Sequence, residues 1–326
     1  MDLAVRKRRA PRLGLPLSLL VALIGCIGAF VLPPYYAGLL TLIGLYALVT
    51  IGLNLFMGYA GQVSLGQAAF MALGAYTSAV LAKNFAVTPW LGTIAGALVA
   101  AILAFVISFV TRRLREHYLA IATLAFGIVV TVFLAQTDYV GGNSGLRGIP
   151  GFTIGAHALD RHAYTVMAWV LVALAVAFSE NLVRSAYGRA LVALGSGELG
   201  AAALGIDGDR LKRQIFMLSA VFAGIAGGVY ASYYEFIDPT SFNFLVSVNF
   251  VLMSVVGGLR SVGGAILGAA VIVALGQALQ ILMPMVLPNA TGDVQTFFYG
   301  LILIVILVNL PQGLLSARLR RPRRAA

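Results

Sequence analysis

Apolar runs of about twenty residues recur along the whole sequence, and each is long enough to cross a lipid bilayer as an α-helix. The run at 244–283 is too long for one helix and is interrupted by a glycine-rich segment at 257–264, so we divide it in two. The other runs lie at roughly 14–32, 38–57, 63–82, 90–110, 118–135, 164–182, 214–234 and 296–315. Only 10% of the residues are charged, against about a quarter in a soluble domain. The sequence therefore predicts an all-α polytopic membrane protein with a single domain over residues 1–326 and about ten transmembrane helices, any of which can be broken or re-entrant.

The basic residues are distributed unevenly between the connections that join these runs. When the N-terminus is placed inside and the spans alternate, 19 of the 22 Lys and Arg residues fall on the inner side, and only Lys83, Arg147 and Arg161 fall outside. The positive-inside rule predicts this segregation. We therefore expect both termini to be cytoplasmic, with basic tails at 1–13 and 316–326, and we assign the net charge of +11 to orientation in a lipid bilayer rather than to nucleic-acid binding.

The predicted spans contain few groups that could do chemistry or carry an ion. Ion-coupled transporters place ionisable side chains at mid-membrane, and the interiors of these spans are nearly free of them, which disfavours a proton-coupled carrier. The sequence also has no GxxxxGK[ST] phosphate loop and no Cys/His cluster, so it predicts neither a cofactor nor a metal site. We expect a transport subunit rather than an enzyme, and any ATPase that drives it must be another chain.

Amides and hydroxyls are concentrated around the segment Gly58–Gln67, which also contains three glycines. Broken helices of this composition let the backbone approach a ligand in transporters. One interpretation is that these side chains line a path for a polar, uncharged or zwitterionic solute; the other is that they form hydrogen bonds between neighbouring helices. The candidate path residues are Asn54, Gln62, Ser64 and Gln67.

Two connections are long enough to have a role of their own. The outer one, at 136–163, is rich in turn-forming residues and predicts either part of a docking surface or an ordinary connector. The inner one, at 183–213, predicts short helices on either side of the break at Gly195–Gly197. A short, partly apolar helix that projects into the cytoplasm needs a partner, although it could also lie on the membrane surface.

Several motifs, in the same order along the chain, resemble those of the M-type membrane permeases of ABC importers for branched-chain amino acids. They are Gly52–Leu55 with Gly58–Phe70, Tyr118–Phe126, Gly141–Leu146, Tyr187–Leu191, Glu198 with Ala201–Ile206, and Ser219–Gly228. The resemblance implies a multi-pass protein of the bacterial inner membrane that forms half of a translocation path by alternating access. It implies as partners a second permease subunit in a heterodimer, two cytoplasmic ATP-binding subunits and a periplasmic substrate-binding protein.

The same resemblance makes the 183–213 connection the loop that couples to an ATPase, through Arg189, Leu191, Glu198, Ala201 and Gly205. The sequence departs from the family pattern there, because Gly195–Gly197 replaces a stretch that usually carries a basic residue and an Asn or Asp. The resemblance also leaves the substrate open, since urea and short amides use similar permeases. A passive channel for small neutral solutes is the alternative from another functional class.

Overall fold

The computed structural model describes residues 20, 25, 27–28, 30–111, 116–155, 157–286, 292–309 and 313–314. This part of the chain forms eleven α-helices: α1 (Pro34–Asn54), α2 (Gln67–Asn84), α3 (Pro89–Thr111), α4 (Glu116–Gln136), α5 (Arg161–Arg184), α6 (Ala186–Ser196), α7 (Glu198–Ala203), α8 (Gly208–Tyr234), α9 (Phe244–Gly257), α10 (Val262–Val286) and α11 (Gly292–Asn309). The strands β1 (Leu146–Arg147), β2 (Thr153–Ile154), β3 (His157–Ala158) and β4 (Phe236–Ile237) are two residues long. Most of the predicted span at 14–32, and both basic tails, lie outside the described residues.

Seven helical segments of the described chain are long and apolar enough to cross a membrane: Pro34–Tyr59, Pro89–Thr111, Tyr118–Gln136, Arg161–Arg184, Gly208–Tyr234, Pro239–Gly257 and Val262–Met283. The segment Val294–Asn309 is apolar but shorter. Helix α2 is not among the seven, although most of its residues are buried inside the bundle. The all-α polytopic architecture is therefore confirmed, while a total of about ten spans remains a prediction.

Two interruptions divide the apolar runs. The long run at 244–283 is divided as predicted, because α9 ends at Gly257 and α10 begins at Val262. The second interruption follows α1, which continues into one π-helical turn, Leu55–Tyr59. From Gly61 the chain is non-helical until α2 begins at Gln67, four residues later than the predicted start of that span.

Glycines allow the helices around α8 to approach closely. A Cβ at Gly228 would lie 2.7 Å from Oγ1 of Thr93 on α3, and one at Gly224 would lie 2.8 Å from the α3 backbone. Gly264 and Gly268 likewise face the α9 backbone at distances that leave no room for a side chain. Both GxxxG pairs are therefore helix-packing motifs in this structure.

The two long connections lie at opposite ends of the bundle, because α5 runs from one to the other. The segment 137–160, called the cap below, joins α4 to α5. The segment 185–207, called the loop below, joins α5 to α8 and contains α6 and α7. The break between α9 and α10 lies at the loop end, since a Cβ at Gly195 would lie 3.4 Å from a terminal guanidinium nitrogen of Arg260.

Candidate functional site

The segment 60–66, which is non-helical from Gly61 onward, joins the π-helical turn to α2 and buries Gln62 and Ser64 in the bundle. Its turn starts at Gly61, whose φ of +71° favours glycine. The N–H of Leu65 donates to Oγ1 of Thr123 over 3.0 Å, and the N–H of Ala68 donates to Oγ of Ser247 over 3.0 Å. Hydroxyls of α4 and α9 therefore satisfy backbone groups that a continuous helix would pair internally.

The four predicted path residues are all buried around this segment. Nδ2 of Asn54 donates to the carbonyl of Gly258 over 3.1 Å, and Nε2 of Gln67 donates to Oγ of Ser219 over 3.0 Å. These are the interhelical hydrogen bonds of the second interpretation. However, Oδ1 of Asn54 and Oε1 of Gln67 have no hydrogen-bond partner among the described residues. A buried acceptor without a donor costs free energy. An arrangement that supplies a donor to each of these two oxygens is therefore favoured.

The path residues are not brought together around one cavity in this conformation. Gln62 lines a small cavity of about 20 Å³ at the loop end, together with Asp209 and Lys212. Ser64 is fully buried, with its Oγ 3.4 Å from the N–H of Gly66. In the part of the chain that the structure describes, the four candidate path residues are therefore buried side chains and do not share the lining of one described cavity.

A larger groove of about 670 Å³ lies between α1, α5 and α10. Its walls are mostly apolar and include Trp169, while Glu180, Arg184 and Arg260 contribute its polar lining. Arg184 and Glu180 pair with each other over 3.0 Å. Such walls suit an apolar chain rather than a zwitterionic solute, so this groove is not the candidate path.

The loop folds into the two short helices that the sequence predicts, with the break at Gly197. Helix α6 buries Leu191 and Leu194 against the bundle, and the hydroxyl of Tyr187 donates to the carbonyl of Leu211 on α8 over 3.2 Å. Burial raises the pKa of Tyr187 to about 12. The first half of the loop is therefore a base fixed to α5 and α8.

The predicted coupling residues divide between this base and the end of α7. Leu191 and Ala201 are buried, whereas Arg189 and Gly205 are exposed. Glu198 begins α7, but its side chain lies outside the described residues. Leu204 lies within the motif Ala201–Ile206 and is not among the predicted coupling residues, but in the structure it is 75% exposed directly after α7.

Sequence analysis does not predict the contact between α1, the loop and the α9–α10 break. Nε of Arg260 donates to the carbonyl of Gly58 over 2.7 Å, and the hydroxyl of Tyr59 donates to the carbonyl of Arg260 over 2.8 Å. A Cβ at Gly195 would lie 2.5 Å from the carbonyl oxygen of Tyr59. We call Gly58, Tyr59, Gly195, Gly258 and Arg260 the junction. Its one signal in the sequence is an arginine inside the glycine-rich segment 257–264.

The cap at the opposite end is folded and attached to four helices. Nε1 of Trp90 on α3 donates to the carbonyl of Thr153 over 3.1 Å, and Nζ of Lys83 on α2 donates to the carbonyl of Arg147 over 2.8 Å. The hydroxyl of Tyr164 on α5 accepts from the N–H of Phe152. Strand β1 pairs antiparallel with β4, which directly follows α8. The cap is therefore fixed to this end of the bundle by side-chain hydrogen bonds and strand pairing.

Comparison with known proteins gives one family over most of the chain. Residues 35–307 match the family described as "Branched-chain amino acid transport system / permease component". The high-affinity branched-chain amino acid transport system permease protein LivM of Escherichia coli K12 is 31% identical over 300 residues, covering 84% of this chain and 68% of that protein. The corresponding protein LivH of Salmonella typhimurium is 27% identical over 295 residues, covering 85% of this chain and 92% of that protein.

Among solved structures, PsaBC from Streptococcus pneumoniae in complex with Fab aligns with a TM-score of 0.45 at 15% identity. The alignment covers 87% of this chain and 95% of that chain. A similarity of this size carries no conclusion about fold or function.

Proposed function

Because the chain belongs to the family of permease components of branched-chain amino acid transport systems, we propose that it is one permease subunit of an ATP-driven importer. In this proposal it forms half of the translocation path for branched-chain or related amino acids and works by alternating access. Its partners are a second permease subunit, two cytoplasmic ATP-binding subunits and a periplasmic substrate-binding protein. The chain itself binds no ATP.

We propose that the loop end faces the cytoplasm of a bacterium whose inner membrane holds the protein. At the loop end, five basic residues lie from the end of α5 to the first turns of α8: Arg184, Arg189, Arg210, Lys212 and Arg213. The cap end carries Lys83, Arg147 and Arg161. This difference supports a cytoplasmic loop, a periplasmic cap and, with about ten spans, two cytoplasmic termini.

The observation that carries the proposal is the exposed apolar end of α7. Ala201 is buried, but Ala202, Ala203, Leu204 and Gly205 are exposed. Gly205 has a φ of +74° and ends this helix, and its N–H bonds back to the carbonyl of Ala202 over 2.9 Å. An exposed leucine on a short helix suits a groove in a partner protein. We propose that this end docks in an ATP-binding subunit, together with Arg189 and Glu198.

We propose that Asn54, Gln62, Ser64 and Gln67 form the polar part of the path when the segment 60–66 moves. The unpartnered oxygens of Asn54 and Gln67 support this, since a substrate ammonium group can supply the donor that each lacks. The position of Gln62 beside a small cavity at the loop end supports an exit on that side. The arrangement in which all four side chains are buried is then one end state of the cycle.

The test is uptake of leucine by liposomes that contain the chain with its candidate partner subunits and binding protein. We expect uptake only with ATP and with all subunits present. Uptake by this chain alone without ATP would refute the importer and support the passive channel. Uptake of urea or a short amide in place of leucine would retain the importer and change its substrate.

A pair of variants tests the docking site within the same assay. Leu204→Asp places a charge on the apolar end of α7, and we expect it to reduce co-purification of the ATP-binding subunits at least tenfold. Leu204→Met keeps the surface apolar and is the matched control. Glu198→Arg should lower transport-linked ATP hydrolysis and leave membrane insertion intact. Unchanged hydrolysis in both Leu204→Asp and Glu198→Arg would remove α7 from the coupling site.

A further inference from the structure

Two hydrogen bonds of opposite direction join Arg260 to the end of the π-helical turn. Nε of Arg260 donates to the carbonyl of Gly58, and the hydroxyl of Tyr59 donates to the carbonyl of Arg260. The last carbonyls of a helix have no partner within that helix, so the guanidinium satisfies a group that the end of this turn leaves open. The α9–α10 break and the start of segment 60–66 are therefore held to each other by both side chains.

The last turn of α6 lies against the same two residues. A Cβ at Gly195 would lie 2.5 Å from the carbonyl oxygen of Tyr59 and 3.4 Å from a terminal nitrogen of Arg260. Only glycine fits at this distance from a backbone oxygen. The carbonyl end of a helix carries partial negative charge, so a guanidinium beside the last turn of α6 is electrostatically favoured. Arg260 thus lies between the loop and the broken helix.

The backbone of Arg260 adopts a conformation that is uncommon for an arginine. Its φ is +63°, in the left-handed region that glycine enters without a steric cost. Such a conformation persists where surrounding contacts hold it, and here both of the bonds to Gly58 and Tyr59 do so. Two residues earlier, the carbonyl of Gly258 accepts from Asn54, so the junction reaches a proposed path residue.

From these contacts we propose that Arg260 is a positioning residue that transmits displacement of the loop to the segment 60–66. Movement of α6 displaces Gly195 against Tyr59, and the Arg260 bonds keep the α9–α10 break, Gly58 and Tyr59 moving together. Segment 60–66 follows directly after Tyr59, so its position depends on this contact. This inference rests on the proposed function, because displacement is transmitted from the loop only when a partner moves the loop.

Three variants test the inference in the full chain. Arg260→Gly removes the guanidinium and accepts the left-handed backbone, so the fold is retained. Arg260→Lys keeps the positive charge but replaces the planar donor of the Gly58 bond. Arg184→Gln is the matched control, because Arg184 lies at the same end and its side chain pairs with Glu180.

Amide hydrogen exchange of the purified chain is the first measurement. In Arg260→Gly we expect exchange in residues 58–66 and 186–196 to rise together at least fivefold, with an intermediate rise in Arg260→Lys. Arg184→Gln should stay within twofold of the unmodified chain. This measurement needs no partner, so its outcome is independent of whether the chain is an importer subunit.

Amino acid transported per ATP hydrolysed in the assembled complex is the second measurement. For Arg260→Gly we expect at least a tenfold fall while the ATP-binding subunits still co-purify. Unchanged exchange in both segments would overturn the inference. Raised exchange with an unchanged transport ratio would also overturn it, because Arg260 would then only stabilise the fold. Absence of ATP-driven transport in the unmodified complex would refute the proposed function instead.

Discussion

The cap and the loop are similar in length but differ in how they are held. In the cap, Leu146, Ile149 and Phe152 are all buried, and side chains from α2, α3 and α5 donate to its backbone or accept from it. In the loop, α6 buries Leu191 and Leu194, whereas Ala201 is the one buried residue among the described side chains of α7. The described hydrogen bonds of α7 stay between residues 197 and 206.

The two connections therefore differ in what they expose at their ends of the molecule. A segment with buried apolar side chains and satisfied backbone groups is held by its own contacts with the bundle. A short helix that exposes alanine and leucine gains from being covered. The cap is therefore held by the bundle, whereas in the loop α6 is held and the end of α7 is exposed. The following predictions test this contrast.

The largest effect is expected at the cap's central aromatic side chain. Phe152 is 1% exposed, and its ring lies 4.5 Å from that of Trp90. Phe152→Ala should reduce the free energy of unfolding by about 3–5 kcal/mol, because it opens a cavity in a packed site. Leu204→Ala in the loop should change it by less than about 0.5 kcal/mol. Thermal unfolding in one detergent measures both, and equal losses would contradict the contrast.

Substitution of two glycines in the loop should affect stability to different extents, because one lies in the fixed base and the other lies beyond it. A Cβ at Gly195 would meet the carbonyl oxygen of Tyr59, while one at Gly197 would have no atom within 4 Å. Gly195→Ala should therefore destabilise the protein by about 1–3 kcal/mol through overpacking, and Gly197→Ala should be nearly neutral. Denaturant unfolding followed by Tyr and Trp fluorescence compares them. A larger loss in Gly197→Ala would show that the fixed base has been placed in the wrong half of the loop.

Two tyrosine variants compare the strength of the hydrogen bonds at the cap end and at the loop end. The hydroxyl of Tyr164 accepts from Phe152 over 2.8 Å and donates to the carbonyl of Ser232 over 3.2 Å, so it joins the cap to α5 and α8. Tyr164→Phe should cost about 1–3 kcal/mol, because it leaves a buried N–H without an acceptor. Tyr187→Phe loses one longer bond and should cost about 0.5–1.5 kcal/mol. Similar unfolding midpoints would mean that the cap is held no more firmly than the base.

The sequence predicted the features that depend on local composition. The division at Gly257–Gly264 and the two helices around Gly197 follow from glycine placement, and both are confirmed. The extension of α1 to Tyr59 and the later start of α2 at Gln67 were missed, because the hydroxyls of Thr123 and Ser247 that hold the chain there are distant in sequence.

The junction was missed for the same reason. Its residues at 58–59, 195 and 258–260 come from three apolar or glycine-rich stretches with no shared pattern. The departure at Gly195–Gly197 was visible, since the resemblance leads one to expect a basic residue there. The structure places the guanidinium of Arg260 beside Gly195, which no reading along the chain could supply.

The smallest effect is a dependence of stability on pH that arises at the cap end, outside the spanning helices. Burial opposes ionisation of Asp238, but hydrogen bonds from Thr240 and Ser241 outweigh it and hold the pKa of this carboxyl below its ordinary value. A lowered folded-state pKa contributes stability that is present above the unfolded value, about 4, and is lost as the pH falls through the folded value.

Asp238→Asn should remove that contribution while keeping the bond to the N–H of Ser241, since Asn also caps a helical turn. We therefore expect the melting temperatures of the two proteins to differ at pH 7 and to converge below about pH 4. The unmodified chain should be the more stable one at pH 7. A constant difference down to the lowest pH would show that the Asp238 carboxylate does not help to hold the cap end, which leaves packing around Phe152 and the hydrogen bonds of Lys83, Trp90 and Tyr164 as its support.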